Sequence, residues 1–141
     1  MEPTSELLRE LLRRARTIAV VGLSADPTRA SFRVAAYLQR QGYRIIPVNP
    51  ALTEPVLGET PYARLTDVPL PIDIVDVFRR PEQVPPIAAD AVAAHAGTLW
   101  LQLGIRSDAG AAIAQAAGLT VVMDRCLMVG HQALLGTTAP M

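Results

Sequence analysis

The sequence predicts an α/β fold: a mostly parallel sheet of five strands with helices on both faces. Apolar runs of four to six residues alternate with helical patterns along the whole chain, as parallel βαβ units require. Half the residues are hydrophobic yet only 4% are aromatic, so the core must be built from Ala, Val, Leu and Ile. That diet suits strands covered by helices on both sides. The length, 141 residues, fits one domain over 1–141, with residues 1–15 as an N-terminal helix packed on it.

Residues 4–14 carry a Leu7, Leu8, Leu11, Leu12 stripe, and Arg13, Arg14 and Arg16 lie where the helix dipole favours cations. Residues 17–22 read as a buried first strand. After the loop LSADPTRA, residues 31–41 form a helix with Ser31, Val34, Ala35 and Leu38 on one face, closed by Gly42. The second strand is 43–48, and Pro47 must sit near its end because proline cannot donate to a ladder. Asn49 to Leu70 is proline-rich, with a short strand expected around Val56–Leu57. The third strand is 73–77, followed by a helix from about Pro86 to His95, with proline in its first turn. Strand four is 98–102. Ser107 caps a helix over 108–117 whose core face is expected at Ala109, Ala112, Ile113 and Ala116, and Gly118 ends it. Strand five is 119–123, and 125–135 make the last helix. Right-handed crossovers leave few topologies, and the simplest is a Rossmann-like order, 3-2-1-4-5.

Charge and composition exclude several roles. Thirteen basic residues balance thirteen acidic ones, whereas a general nucleic-acid binder carries excess positive charge. The apolar runs fall far short of the ~20 residues that span a bilayer, so no membrane role is expected. A single cysteine, Cys126, permits no internal disulfide. The first sixteen residues are charged throughout and lack the apolar core of a secretory signal, which makes the cytoplasm the expected compartment.

Ligands of such a sheet bind beyond the carboxyl ends of its strands. The residues to watch therefore follow the strands. Gly22 permits a sharp turn and close approach of backbone N–H groups to an anion. The helix starting near Ser31 offers free N–H groups to a phosphate. Arg29 and Arg33 flank that start, where cations oppose the dipole; they either meet an anionic ligand or pair with solvent and Asp26. Arg79 and Arg80, after the third strand, suit phosphate or form an exposed loop. Asn49 could bind adenine or ribose, or make an Asx turn before Pro50. Gln102 either lines the site or pairs with backbone. The dinucleotide fingerprint is missing: only Gly22 of its glycines is present, and the second strand runs into Asn49-Pro50 rather than an acid. No phosphate-binding P-loop occurs.

Catalytic groups are scarce. His95 is expected on an exposed side or near a helix cap. Cys126 and His131, five apart, could share a face but lack a third orienting group, and no metal-ligand spacing exists. Asp73 and Asp76 flank the third strand, and Asp76 is expected to hold backbone or an Arg.

Five stretches in order, VVGLSADPTRASFRVAAYLQRQGYRIIPVNP, VLGETPYARL, DIVDVFRRP, WLQLGI and DRCLMVGH, resemble the small bacterial and archaeal CoA-binding proteins, a family similar to the N-terminal domain of the succinyl-CoA ligase α-subunit. The resemblance covers roughly residues 15–135. It implies coenzyme A, or an acyl-CoA, as ligand. Gly22, Leu23 and Ser24 would meet the phosphates with Arg29, Ser31 and Arg33. Val48, Asn49 and Pro50 would border the adenosine. Phe78, Arg79 and Arg80 would cover the nucleotide or pantetheine, with Gln102, Gly104 and Cys126 further along the cleft. The chain departs from the family at Gly130, where an acidic residue is common, and it lacks the ligase's second domain with its phosphorylated histidine. His131 does not match that histidine. The implied role is a stand-alone carrier, sensor or partner subunit, alone or as a homodimer. The alternative is a small Rossmann-type enzyme using NAD(P) or an acyl-CoA.

Overall fold

The computed structural model describes residues 2–136. Five strands, β1 (Thr17–Val21), β2 (Arg44–Val48), β3 (Ile74–Val77), β4 (Thr98–Leu101) and β5 (Thr120–Val122), form one all-parallel sheet. Five helices accompany them: α1 (Ser5–Arg14), α2 (Ala30–Arg40), α3 (Val84–Ala93), α4 (Asp108–Ala116) and α5 (Leu127–Leu135). The α/β class and the parallel sheet agree with the sequence, and the five main strands and five helices expected are present within a few residues. No helix among the described residues is long and apolar enough to cross a membrane.

The strand order is 2-1-3-4-5, not the expected 3-2-1-4-5. Tyr62 supplies the reason. Its N–H donates to the Pro47 carbonyl and its own carbonyl accepts from the Asn49 N–H, both at 2.9 Å, making a one-residue parallel bridge to Val48. This bridge fills the outer edge of β2, and β3 pairs instead with the far side of β1. Counted as a strand, the bridge restores the doubly wound order. The short strand expected at Val56–Leu57 is likewise reduced to a bridge between Val56 and Glu59.

Alternation along the strands feeds two cores. Ile18, Val20, Ile45, Ile74, Trp100 and Val122 face α1, α2 and α5, while Ala19, Val21, Ile46, Val75, Leu99 and Val121 face α3 and α4. Helix α1 starts at Thr4, whose Oγ1 accepts the Leu7 N–H at 3.1 Å. It buries Leu8 and Leu12, while Leu7 stays exposed. Each buried leucine contributes about 1.5–3 kcal/mol. The Tyr43 hydroxyl donates to the Leu12 carbonyl, and the Arg9 Nε donates to the Leu134 carbonyl, which tie α1 to the body. Burial pushes the Tyr43 phenol up to about 12.

The face of α4 differs from expectation. Ser107 caps it as expected, accepting the Gly110 N–H at 3.0 Å. The buried residues, however, are Gly110, Ala111 and Ala114, and Ala109, Ala112, Ile113 and Ala116 face solvent. A Cβ at Gly110 would stand 2.5 Å from Val84 Cγ1. The helix approaches α3 so closely that only the smallest residues fit, and that steric demand overrides the hydrophobicity of Ile113.

Candidate functional site

The carboxyl edge of the sheet is organised around Gly22. Its φ is +89°, and a Cβ there would lie 2.5 Å from the Phe78 carbonyl oxygen. Only glycine permits this approach. The Gly22 N–H donates to the Val48 carbonyl at 2.9 Å and the Phe78 N–H donates to the Val21 carbonyl at 2.8 Å, so the ends of β1, β2 and β3 are stitched together here.

Two clefts flank that junction, one on each face of the sheet. The first, about 430 Å³, opens on the α3 side and is lined by Val21, Val48, Pro50, Arg64, Leu65, Arg79 and Ile87, among others. The second, about 340 Å³, opens on the α2/α5 side and is lined by Arg33, Val34, Phe78, Gln102, Ile105, Cys126 and Met128, together with the exposed Leu103. Both volumes fall in the range of small-molecule sites. Successive residues Phe78 and Arg79 thus serve opposite clefts, because side chains alternate at the strand end.

The candidate residues divide by what already occupies them. Asn49 makes the Asx turn: its Oδ1 accepts from the Ala51 N–H at 3.0 Å and from Arg79 Nη2 at 3.2 Å, and its Nδ2 donates to the Leu23 carbonyl at 3.1 Å. Asn49 therefore orients Arg79 and ties the first two loops together. Leu23 is fully buried, so only its backbone borders the loop. Ser31 is also buried, and its Oγ accepts the Ser24 N–H at 3.0 Å. Ser24 Oγ in turn accepts from the Asp26 N–H, and Asp26 accepts from Thr28 through both N–H and hydroxyl. Those bonds hold the Asp26 carboxyl below its usual range. Arg29 is the exposed N-cap of α2 without a side-chain capping bond, and Arg33 donates to the Thr28 carbonyl. Neither arginine forms an ion pair with Asp26. Arg80 is exposed and lines neither cleft. The Gly104 N–H is taken by Asp124 Oδ1 at 2.6 Å, which also places Asp124 3.5 Å from Arg106.

Three expectations about ionisable groups need correction or refinement. Asp73, not Asp76, holds backbone: its Oδ2 accepts from the N–H groups of Arg16 and Thr17, at 2.7 and 3.0 Å. Asp76 is fully buried beside Val20 and Trp100, and neither carboxyl oxygen has a partner among the described residues. Burial pushes its carboxyl well above the usual range. The Cys126–His131 pair does not form. His131 is buried, its Nδ1 is 2.8 Å from the Tyr37 hydroxyl, and Tyr37 and Tyr43 approach its ring edge-on at 5.5 and 5.7 Å. Burial pulls the imidazole below its ordinary value. It is a core residue of the α2–α5 contact. His95 is exposed just past α3, with φ +57°. Gly130 is buried, and a Cβ there would meet the Trp100 ring at 3.5 Å.

The sequence reading missed an ion pair in the lining of the first cleft. Arg64 and Asp90 form it in bidentate fashion, Nη2–Oδ1 at 2.7 Å and Nε–Oδ2 at 3.2 Å. Arg64 lies in the proline-rich stretch, which has no periodicity to place it. Among the described residues no group of three or more His, Cys, Asp or Glu could hold a metal ion.

The comparisons with known proteins agree with this fold. Residues 16–132 match the family model described as a CoA binding domain. The chain is 41% identical over 129 residues to YneT of Bacillus subtilis (strain 168), covering 92% of this chain and 95% of that protein. It superposes on the structure of cell-free ID.343 from Thermus thermophilus with a TM-score of 0.91 and 42% identity, covering 94% of this chain and all of that one. It also shares a fold with part of the dinucleotide forming acetyl-coenzyme A synthetase 1 of Ca. Korarchaeum cryptofilum, at a TM-score of 0.69 and 20% identity, covering 84% of this chain and 27% of that chain. With the family model spanning all five strands of the sheet, the chain belongs to the CoA binding domain family.

Proposed function

We propose that this chain binds coenzyme A or an acyl-CoA along the carboxyl edge of the sheet, as a stand-alone cytoplasmic binding module without ligase chemistry of its own. The observation that carries the reading is the pair of clefts lined by the successive residues Arg79 and Phe78, both of which lie against Gly22. A long ligand with a nucleotide at one end and a thiol arm at the other suits two clefts flanking a glycine turn. In this reading the adenosine takes the first cleft, between Val48, Pro50 and Arg79. The phosphates cross the Gly22–Ser24 loop toward Arg29 and Arg33. The pantetheine arm enters the second cleft, whose walls are mainly apolar.

Calorimetric titration with CoA and acetyl-CoA, beside NAD, NADP and ATP, tests the proposal. CoA at 100 times its Kd should stabilise the fold by about 2.7 kcal/mol. Absence of binding by CoA and acetyl-CoA at millimolar concentration would overturn it. Incubation of the purified chain with an acid, CoA and a nucleoside triphosphate should give no acyl-CoA above a no-protein control; synthesis would overturn the module reading.

A further inference from the structure

The second cleft contains a fixed amide with unused donors beside a half-buried thiol. Gln102 is only 5% exposed, and its Oε1 accepts the Leu127 N–H at 3.0 Å. Only the carbonyl oxygen can accept from an N–H, so this bond settles which way the amide points. Its NH2 group has no partner among the described residues and is not sealed in the core; Gln102 lines the cleft. Cys126, immediately before Leu127, is the N-cap of α5, makes no side-chain capping bond and lines the same cleft. One hydrogen bond thus fixes both the donor pair and the backbone that carries the thiol. Arg33 adds a cation at the rim, and Phe78, Ile105 and Met128 supply apolar walls.

We propose that this cleft captures the thiol end of its ligand covalently, as a mixed disulfide with Cys126. The inference rests on the CoA reading above. The Gln102 NH2 group donates to an amide carbonyl of the ligand's arm and holds the terminal sulfur near Cys126 Sγ. The co-reactant is the ligand's own symmetrical disulfide. Cys126 loses its proton to solvent, and its thiolate attacks one ligand sulfur. The ligand S–S bond breaks as the Sγ–S bond forms, and the other half leaves as a thiolate that takes up a proton. One disulfide is consumed and one is made, so no further oxidant is needed. Nucleotide contacts in the first cleft raise the effective concentration of the ligand sulfur at Cys126, which makes the exchange selective over disulfides lacking the nucleotide.

Intact-mass spectrometry after incubation of the reduced chain with CoA disulfide tests this, since Cys126 is the chain's one cysteine. The expected result is a single adduct, reversed by reductant, absent in Cys126→Ser, and formed about tenfold or more faster than with oxidised glutathione. Adenosine 3′,5′-bisphosphate should slow it by competing for the first cleft. Gln102→Glu keeps an acceptor for Leu127 but loses the donors, and should slow the adduct several-fold. If that variant does not fold, the glutathione comparison still decides. A native chain that stays unmodified while urea-unfolded chain reacts would overturn the proposal, as would equal rates with the two disulfides. Titration of Cys126→Ser with reduced CoA separates the two levels: binding there without an adduct on the native chain sinks only this inference, and no binding of reduced CoA by either chain sinks the CoA reading beneath it.

Discussion

Gly22 and Phe78 are in backbone contact: a Cβ on the first would stand 2.5 Å from the carbonyl oxygen of the second. The same glycine has φ +89°, so any side chain there meets both a strained backbone and a rigid obstacle. Gly22→Ala should therefore destabilise the fold by about 2 kcal/mol or more, because β1 and β3 must separate. Urea unfolding measures it. A loss below about 0.5 kcal/mol, the range of ordinary surface changes, would show that the strand ends are not constrained as described.

The first-loop arginines are expected to matter for ligand and not for folding. Both are exposed, and among the described residues the side-chain hydrogen bond they make is from Arg33 to the Thr28 carbonyl. Charge-assisted bonds contribute about 1.5–3 kcal/mol each, and each 1.4 kcal/mol is tenfold in affinity. Replacing both with Ala should weaken CoA binding by roughly a hundredfold or more while the free protein's Tm stays nearly constant. Unchanged affinity in calorimetry would assign them to the solvated surface.

Asp76 should make the fold progressively less stable as pH rises above the ordinary carboxylate range. Its carboxyl is held far above its ordinary value by burial without a partner. Below the unfolded value near 3.9 both states are protonated and the group is silent. Above it the unfolded chain releases a proton that the native chain keeps, so stability falls as pH rises, by about 1.4 kcal/mol per unit, until the folded value is reached. Asp76→Asn keeps the shape and removes the ionisation. It should flatten the decline that begins above about pH 4, read by urea unfolding at each pH. A variant with the same slope as the native chain would mean the carboxyl is already ionised.

His131 acts with the opposite sign. Its folded value lies below the ordinary one through burial, so the unfolded chain binds a proton first as pH falls. Stability from this group is complete above about pH 6.5 and is lost as pH drops toward the folded value. His131→Gln should remove that acid-side loss. Tyr37→Phe deletes the hydroxyl 2.8 Å from Nδ1 and leaves a buried ring nitrogen unpaired, which should cost about 1–3 kcal/mol at neutral pH. Equal urea midpoints for Tyr37→Phe and the native chain would contradict the hydrogen bond.

Much of the scaffold was legible in the residues themselves. Apolar runs bounded by Gly22, Gly42 and Gly118 marked strands and helix ends, and Ser107 marked a cap, because local periodicity and backbone chemistry act over a few residues. Parallel connectivity then sends the residues at every strand end to one edge, which is why Val48, Phe78, Gln102 and Cys126 could be placed there from the sequence. What tertiary structure alone decided was occupancy. Asn49 spends its amide on Leu23, Ala51 and Arg79; Gln102 spends half of its own on Leu127; Asp76 finds no partner although Asp73 finds two backbone amides. Apart from Ala51, two residues from Asn49, each partner is distant in sequence, and short-range patterns carry no information about it. The edge beyond β2 followed the same logic. A single parallel bridge from Tyr62 was enough to claim it, and a bridge of one residue has no period to read.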